Sequence, residues 1–286
     1  MNIFPQIITN GIISGAEYGL IALGFSFIYS TAKFFDLSYG GVVALGGYFT
    51  FLFYRIAGIP LVFSIVLSIL SCGVFGLFLY KIIYKPLRKR KASKLVYLVA
   101  SLGLLTVIQA LISIIFTSQF HTIILNNWKP LTIMSVTITP VQLTGVCILI
   151  LLVAVMTLFL KYTRIGKAIR AVADDEEVSS IVGINTEKIM SIVFFIGSML
   201  GAIGGIIVSL DTGIEPDMGF SLLLKGVIAA IIGGVGDIYG ALVGGIMLGL
   251  IENIGIWHLA AEWKDIISFT VLIIFLIYRP QGIFKK

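Results

Sequence analysis

The most informative feature of this 286-residue sequence is how few charged residues it has. Only 12% of its residues are Asp, Glu, Lys or Arg, whereas 58% are hydrophobic and the mean hydropathy is +1.08. A soluble fold cannot bury that much apolar surface, so the composition predicts a polytopic membrane protein. We expect residues 1–286 to form a single transmembrane domain.

Histidine and cysteine are also scarce, which argues against several kinds of site. His121 and His258 have no further ligand at metal-binding spacing, and Cys72 and Cys147 lie in apolar stretches. We therefore expect no metal site, no cofactor, no disulfide framework and no catalytic residue. The nearest approach to a phosphate loop, RIGKA at residues 164–168, lacks the upstream Gly and the Ser or Thr after Lys. If ATP drives this protein, the ATPase is another polypeptide.

The apolar stretches define the predicted membrane topology. A transmembrane helix needs about 20 mostly apolar residues. Nine stretches approach that requirement: residues 7–29, 37–54, 60–80, 95–116, 140–160, 189–210, 220–235, 238–256 and 266–278. The second and seventh are short and broken by Gly pairs, so we predict an all-α fold with eight or nine transmembrane helices. The N-terminus has no basic segment or cleavage site, so no cleaved signal peptide is expected.

The positive charges predict the orientation of the chain. Residues 81–94 carry basic residues and no acid, residues 161–188 are rich in Lys and Arg, and the tail contains Arg279, Lys285 and Lys286. By the positive-inside rule all three, including the C-terminus, are cytoplasmic, and the N-terminus is outside. The net charge of +6 therefore reflects topology, and no nucleic-acid partner is expected.

Residues 161–188 form the longest polar interruption of the chain, and their pattern predicts two short helices. Four apolar residues recur at helical spacing, namely Ile165, Ala168, Ile169 and Val172. Asp174 or Asp175 can cap a second helix, and Gly183 can end it. We interpret this segment as a structured cytoplasmic elbow on which a soluble partner docks. The alternative is a solvated loop.

Small residues predict close helix packing and an internal symmetry. Three glycine triplets have a spacing of four: Gly11, Gly15, Gly19; Gly197, Gly201, Gly205; and Gly236, Gly240, Gly244. Residues 35–52 also resemble residues 219–236, each a short apolar helix that we expect a Gly pair to interrupt (Gly46 and Gly47; Gly233 and Gly234). On the predicted topology this is an inverted repeat, which in transporters marks the substrate path.

Two acids lie within predicted spans. An acid at membrane depth is costly, so Glu17 and Glu252 are expected to face the bundle interior or water. Glu17 either lines a pathway or is a structural acid bonded to a neighbouring helix. For Glu252, near the external end, the alternative is that it simply reaches the membrane interface, and we expect Lys225 to extend outward there.

Four sequence blocks resemble the permease subunits of bacterial branched-chain amino acid ABC importers. The blocks are GAEYGLIALGFSFIYS with FDLSYGGVVALGGY (residues 15–30 and 35–48), GKAIRAVADDEEVSSIVGIN (166–185), LKGVIAAIIGGVGDIYGALVGGIMLGLIEN (224–253) and YRPQGIF (278–284). The resemblance implies a multi-pass protein of the bacterial inner membrane. It also implies four kinds of partner: membrane lipid, a second permease subunit, two cytoplasmic ATP-binding subunits and an external substrate-binding protein.

The resemblance also implies roles for individual residues. The second block matches the segment that seats in the ATPase subunit, through Gly166, Ala168, Arg170, Ala171, Asp175, Gly183, Ile184 and Asn185. The third matches a packed glycine block that includes Gly233, Gly234, Gly236, Gly240 and Gly244. Asp36 and Glu17 depart from the family pattern, which leaves urea, amides or another small polar solute as alternative substrates. Together with Gly46 and Gly47, both are assigned to helix packing or the translocation path.

The sequence thus favours a permease subunit powered by separate ATPases. The first rival is a secondary transporter driven by an ion gradient through Glu17 or Glu252. The second rival, an intramembrane enzyme, lacks a catalytic constellation.

Overall fold

A computed structural model describes residues 4–123, 131–133, 136–257, 259–279 and 281–284. Four positions named above, His258, Pro280 of the YRPQGIF block, Lys285 and Lys286, lie outside the described residues. The chain is almost entirely helical. Its main elements are α1 (Phe4–Ala32), α2 (Ser38–Phe51), α3 (Leu61–Leu79), α4 (Lys85–Lys89), α5 (Lys94–Phe116), β1 (Leu131–Ile133), β2 (Val136–Ile138), α6 (Pro140–Tyr162), α7 (Arg164–Asp174), α8 (Glu176–Ile181), α9 (Thr186–Thr212), α10 (Met218–Gly233), α11 (Ile238–Gly255) and α12 (Lys264–Tyr278).

Short elements complete this outline. A π-helical turn, Leu52–Ile56, extends α2, and a second one, Tyr80–Tyr84, joins α3 to α4 without a break. A 3₁₀ turn, Ala261–Trp263, precedes α12. The strands β1 and β2 form an antiparallel hairpin between α5 and α6, which the all-α prediction did not include.

Each of the nine predicted spans is helical, but their lengths differ. Among the described residues, six helical stretches are long and apolar enough to cross a membrane: Phe4–Ala32, Leu61–Lys89, Lys94–Phe116, Pro140–Tyr162, Thr186–Thr212 and Ile238–Gly255. The helices α2, α10 and α12 have only 14, 16 and 15 residues. At 1.5 Å per residue, α2 is roughly 21 Å long, less than the ~30 Å of a hydrocarbon core. The fold is an all-α multi-pass membrane bundle.

Helix α1 forms the centre of the bundle. Of its most apolar 18-residue window 83% is buried, against 22% for each of α5 and α6, whose outer faces remain available to lipid. The side chains of Leu20, Ile21 and Leu23 point in different directions around α1, and all are buried. Because this window of α1 has protein around most of its surface, the polar residues within it meet other helices rather than lipid.

Glycine lets α11 approach α1 closely. A Cβ atom on Gly15 would lie 2.6 Å from Ile246 Cα, and one on Gly245 would lie 2.6 Å from Gly19 Cα. Both distances are shorter than side-chain carbons tolerate, so the backbones of α1 and α11 are in direct contact. The first predicted glycine triplet therefore lies at a helix crossing, as expected from its spacing.

The other two triplets behave differently. In α9, a Cβ on Gly201 would meet the ring of Tyr39 at 2.7 Å, so α2 packs closely there. Gly240 of α11 packs against Gly233, where a Cβ would lie 2.6 Å from the carbonyl oxygen. Gly236 is not part of this helical face, because it precedes α11 with φ +94°. The prediction that the third triplet shares one helix face is wrong at that residue.

The two short helices of the predicted inverted repeat lie side by side. A Cβ on Gly40 would be 2.8 Å from the carbonyl oxygen of Gly219, so the first turns of α2 and α10 are in contact. Gly41 faces Ile108 in the middle of α5, which places the start of α2 inside the bundle. The expected interruption is absent from α2, since helical hydrogen bonding continues through Gly46 and Gly47. In α10, by contrast, the pair ends the helix at Gly233.

The directions of α2 and α10 are opposed. Gly41 packs on Ile108 and the Tyr48 ring lies 5.0 Å from that of Phe116, so α2 runs parallel to α5. That direction leads away from the end of the bundle formed by α7 and α8. Helix α10 runs antiparallel to α11 and ends at Gly233, whose carbonyl oxygen accepts from Phe284 N of the tail; this is the end where α7 and α8 lie. This is the geometry that an inverted repeat requires.

The basic connections gather at one end of the bundle. Lys85 Nζ lies 2.7 Å from Glu187 Oε2, which joins the 81–94 connection to the start of α9. At the same end, Ile283 N donates to the carbonyl oxygen of Ile232 at 3.0 Å and anchors the tail against α10. We call this the coupling end. Its assignment to the cytoplasm remains a prediction.

We predict that Gly15→Ala lowers the thermal unfolding midpoint of the detergent-solubilised protein by several degrees. The added carbon forces α1 and α11 apart, and overpacking of this kind costs about 1–3 kcal/mol. The matched control is Gly103→Ala in α5, where a Cβ meets nothing within 4 Å. The control should unfold at or slightly above the wild-type temperature, because Ala is the better helix former. Equal midpoints for the two variants would contradict a direct backbone contact.

Candidate functional site

The elbow between α6 and α9 is built by a series of helix caps. Thr163 Oγ1 accepts a hydrogen bond from Gly166 N at 2.9 Å and begins α7. Asp175 Oδ1 accepts from Val178 N at 3.0 Å and begins α8. Asn185 Oδ1 accepts from Lys188 N at 2.9 Å and begins α9. The prediction of two short helices is confirmed, and Asp175 rather than Asp174 caps the second.

Gly183 ends α8, as predicted. Its φ of +89° lies in the left-handed region, which side-chain-bearing residues rarely adopt. The reversal lets Ile184 N donate to the carbonyl oxygen of Ser179 at 3.0 Å and satisfies the end of the helix. A Cβ on Gly183 would meet nothing within 4 Å, so glycine is required here for its backbone conformation rather than for space.

The residues assigned to coupling divide into an inner and an outer set. Gly166 is buried where α7 turns against α6, and a Cβ there would lie 2.6 Å from Leu160 Cα. Ala168 and Ile184 pack against the hydrophobic core, and Ala171 is half-buried. The side chain of Arg170 is exposed and makes no ion pair or hydrogen bond with the described residues. One face of the elbow is therefore anchored on the helix bundle, and the opposite face, which carries Arg170, is exposed.

Apolar side chains project from α8 and the turn after it. Val178, Ile181 and Val182 are 55%, 78% and 70% exposed. They lie in the most polar segment of the chain, beyond the ends of the long apolar spans. Uncovered aliphatic side chains of this kind indicate an interaction surface. We call Arg170, Val178, Ile181 and Val182 the elbow surface.

Ion pairs hold the elbow against α4. Arg88 pairs with Glu176 in the first turn of α8, and Lys85 pairs with Glu187 in the first turn of α9. The sequence predicted residues 81–94 as a connection. In the structure this segment is helical up to Lys89, because the π turn Tyr80–Tyr84 continues directly into α4. The added turns bring both basic side chains to the elbow.

Asp36 lies in a buried hydrogen-bond cluster at the start of α2. Its Oδ1 accepts from Ser38 Oγ at 2.6 Å, from Ser38 N at 3.0 Å and from the Tyr84 hydroxyl at 2.7 Å. Asp36 is 4% exposed. These contacts fix the entry to α2 and tie it to the helix α3–α4, so the structure places Asp36 in a structural cluster.

Glu252 is the centre of a second buried cluster, at the end of the bundle opposite the elbow. Tyr18 OH donates to its Oε2 at 2.7 Å, and Ser268 Oγ donates to its Oε1. Lys225 Nζ and Lys264 Nζ lie 3.6 Å and 3.8 Å from its two oxygens. We call Glu252, Tyr18, Ser268, Lys225 and Lys264 the outer polar cluster.

Glu252 faces the bundle interior, one of its two predicted positions; the interface alternative and the outward position of Lys225 are wrong. Glu252 does not reach the interface, because its side chain is fully buried between α1, α10 and α12. Lys225 does not extend outward either. Its ammonium group lies 3.6 Å from Glu252 and 3.1 Å from Asp265, so it is held between two carboxylates.

Glu17 differs from the other acids. It is half-buried on α1 beside the outer polar cluster, and no hydrogen bond or ion pair joins it to another described residue. It lies within electrostatic range of Asp211, Lys225 and Lys264. Asp211 itself accepts hydrogen bonds from Thr139 Oγ1 and Gln142 Nε2, each at 3.0 Å. The structure therefore does not support the reading of Glu17 as an acid bonded to a neighbouring helix.

Sequence reasoning missed several members of these clusters. Tyr18 and Ser268 are unremarkable in apolar spans, as is Tyr84 in the basic connection, and only their distance from an acid in the fold gives them a role. Lys264 carried one usable signal. It begins the last helix directly after a polar stretch, so a partner for the acid at the end of the preceding span could have been sought there.

The fold and these features define a membrane permease. The family model described as "Branched-chain amino acid transport system / permease component" matches residues 7–276. The chain belongs to this family. It is 30% identical over 99% of its length to the high-affinity branched-chain amino acid transport system permease protein LivH of Salmonella typhimurium, and covers 96% of that protein. It is 29% identical to BraD of Pseudomonas aeruginosa, with the same two coverages.

Other comparisons are broader. Over 46% of the chain and 39% of the relative, the sequence is 29% identical to the autoinducer 2 import system permease protein LsrC of Yersinia enterocolitica. Among solved structures, PsaBC from Streptococcus pneumoniae in complex with Fab matches with a TM-score of 0.55 at 11% identity, covering 98% of this chain and 93% of that one. This match shows a shared fold.

We predict that Glu252→Ala lowers the unfolding midpoint of the purified protein substantially. Removing one partner of a buried ion pair costs about 3–5 kcal/mol, because the remaining charges lose their counterion. Here Lys225 and Lys264 both lose it. The matched control is Glu262→Ala. Glu262 is exposed and lies in the 3₁₀ turn just before α12, so this change should alter the midpoint little. A midpoint for Glu252→Ala equal to that of the control would show that the cluster does not stabilise the fold.

Proposed function

We propose that this chain is a membrane-spanning subunit of an ATP-driven importer for branched-chain or related aliphatic amino acids. ATP hydrolysis takes place on separate subunits. A second permease subunit, identical or homologous, completes the translocation unit, and an external binding protein delivers the substrate. The coupling end faces the cytoplasm of the bacterial cell.

The elbow surface carries this proposal. A capped two-helix elbow, anchored by the inner face of α7 and by two ion pairs to α4, presents Arg170 and three aliphatic side chains. An ATP-binding subunit with an apolar groove and an acidic rim would fit it. Closure of that subunit on ATP would move the elbow, and the connected helices α6 and α9 with it.

We expect Arg170→Glu to abolish ATP-dependent uptake and the recovery of ATPase subunits with the tagged protein. The reversed charge repels the acidic rim proposed for the partner. Arg55→Glu is the matched control, because Arg55 is also exposed but lies in the π turn after α2, away from the elbow. Both variants should insert into the membrane normally. Unchanged uptake by Arg170→Glu would contradict docking at the elbow.

The backbone at Gly183 supplies an independent test. Proline fixes φ near −65°, which is incompatible with +89°, so Gly183→Pro should distort the turn after α8 and abolish uptake. Gly183→Asn should retain most uptake, since Asn tolerates positive φ better than other residues with a side chain. The measurement is initial uptake rate at matched membrane abundance. Equal rates for the two variants would show that the turn conformation is unimportant.

Glu17 supports the remaining rival, a transporter driven by an ion gradient, because it is an acid within a membrane span whose side chain has no hydrogen-bond or ion-pair partner among the described residues. That rival predicts uptake by this chain alone in liposomes, abolished by an uncoupler and independent of ATP. Uptake that requires both ATP and the ATPase subunits would exclude it.

A further inference from the structure

A cavity opens beside the outer polar cluster, at the end of the bundle opposite the elbow. It has a volume of about 290 Å³ and is formed by α1, α6, α9, α10 and α12. Small-molecule sites in proteins are typically about 300–1,000 Å³, so this cavity has room for a small ligand only.

The cavity contains charges of both signs. Glu17 and Asp211 supply carboxylates, and Lys225 and Lys264 supply ammonium groups. Two of the four already have close partners: Asp211 accepts two hydrogen bonds, and Lys225 lies 3.1 Å from Asp265 and 3.3 Å from the Tyr18 hydroxyl. The remaining two, Glu17 and Lys264, can form further hydrogen bonds.

Glu17 and Lys264 are the two groups with that spare capacity. Glu17 has no hydrogen-bond or ion-pair partner among the described residues. Lys264 has one contact, a distant one of 3.8 Å to Glu252, although an ammonium group can donate three hydrogen bonds. A partnerless carboxylate at membrane depth is unfavourable, which indicates that a ligand completes it.

The rest of the lining is apolar where it adjoins these groups. Ile13, Val208 and Leu222 line the same cavity. A metal ion is a poor occupant, since two lysines line the cavity and the described residues hold no cluster of three His, Cys, Asp or Glu at ligand distance. A ligand with an ammonium group, a carboxylate and a short aliphatic side chain matches all three features.

We propose that this cavity is a binding site for a zwitterionic aliphatic amino acid within the single permease chain. Glu17 accepts hydrogen bonds from the ligand's ammonium group, Lys264 donates to its carboxylate, and the side chain packs on Ile13, Val208 and Leu222. The identity of the ligand rests on the proposed function, whereas the location of the site rests on the cavity alone.

The test measures binding to the purified complex in detergent, with its co-purifying subunits and without any soluble binding protein. The probe is tritiated L-leucine. The competitors are 3-methylbutylamine, which lacks the carboxylate, and 4-methylpentanoate, which lacks the ammonium group. We expect leucine to bind and each truncated competitor to be at least about tenfold weaker, as expected for the loss of a charge-assisted hydrogen bond.

Variants assign the site to this cavity. Glu17→Gln preserves shape and removes the charge, so it should weaken leucine binding by about tenfold or more while leaving the unfolding midpoint near that of the wild type. Lys264→Gln should weaken it similarly. The matched control Glu262→Gln changes an exposed acid two residues from Lys264 and should bind leucine like the wild type.

Failure of this inference is distinguishable from failure of the proposed function. ATP-driven leucine uptake without measurable binding to the complex, or binding that Glu17→Gln leaves unchanged, would overturn the site and leave the importer standing. Equal competition by 3-methylbutylamine would overturn it in favour of a simple cation site. Glu17-dependent leucine binding by a chain that supports no ATP-driven uptake would support the site and overturn the importer.

Discussion

The close approach of α1 and α11 is the constraint on which the rest of the structure depends. In lipid, two helices gain little by hiding leucine from an equally apolar solvent, so their association relies on packing and hydrogen bonding. Gly15, Gly19 and Gly245 remove the side chains that would separate the two backbones. With α11 in place on one side and α6, α9 and α10 around the others, α1 is enclosed by protein along most of its length.

Enclosure of α1 explains how this membrane protein tolerates acids at depth. Tyr18 and Glu17 are adjacent on a helix that is mostly enclosed by protein, so one can reach Glu252 and the other a cavity. Glu252 is buried with two lysines and two hydroxyl donors, and Asp36 is buried with a serine and a tyrosine. Glu252 and Asp36 accept hydrogen bonds and thereby join helices that are distant in sequence. Glu17 is the exception, because no donor among the described residues reaches its carboxylate.

The sequence correctly predicted the features that depend on residues close together along the chain. The elbow is an example, because Asp175 and Gly183 act on backbone groups within three residues or so, and both appear in the structure with the predicted roles. The nine helical stretches followed from apolar length. The fold class and the opposed directions of α2 and α10 followed from these stretches and the charge distribution.

The sequence could not predict what depends on depth and tertiary distance. Gly46 and Gly47 were expected to break α2, but they pack against Ala202 and Ile214 and the helix continues, because tight packing compensates for glycine's low helix propensity. The interface alternative for Glu252 followed from its position near the end of its span. Its partner Lys264 lies across a turn in another helix, so the buried pairing was not visible in the sequence. No local pattern encodes that pairing.

The helices α6 and α9 connect the two ends of the molecule in one closed unit. At the elbow, Thr163 caps α7 and Asn185 caps α9, so α7 and α8 join the two long helices without a loose connection. At the opposite end, Gln142 of α6 donates to Asp211 of α9, which lines the cavity. A unit fastened at both ends transmits displacement along its length rather than absorbing it in a hinge. On the proposed function, an ATPase that moves the elbow therefore also displaces the wall of the cavity that carries Asp211. Displacement of that wall would change the shape of the cavity beside Glu17 and hence its affinity for a ligand, which is what a binding site in a pump requires.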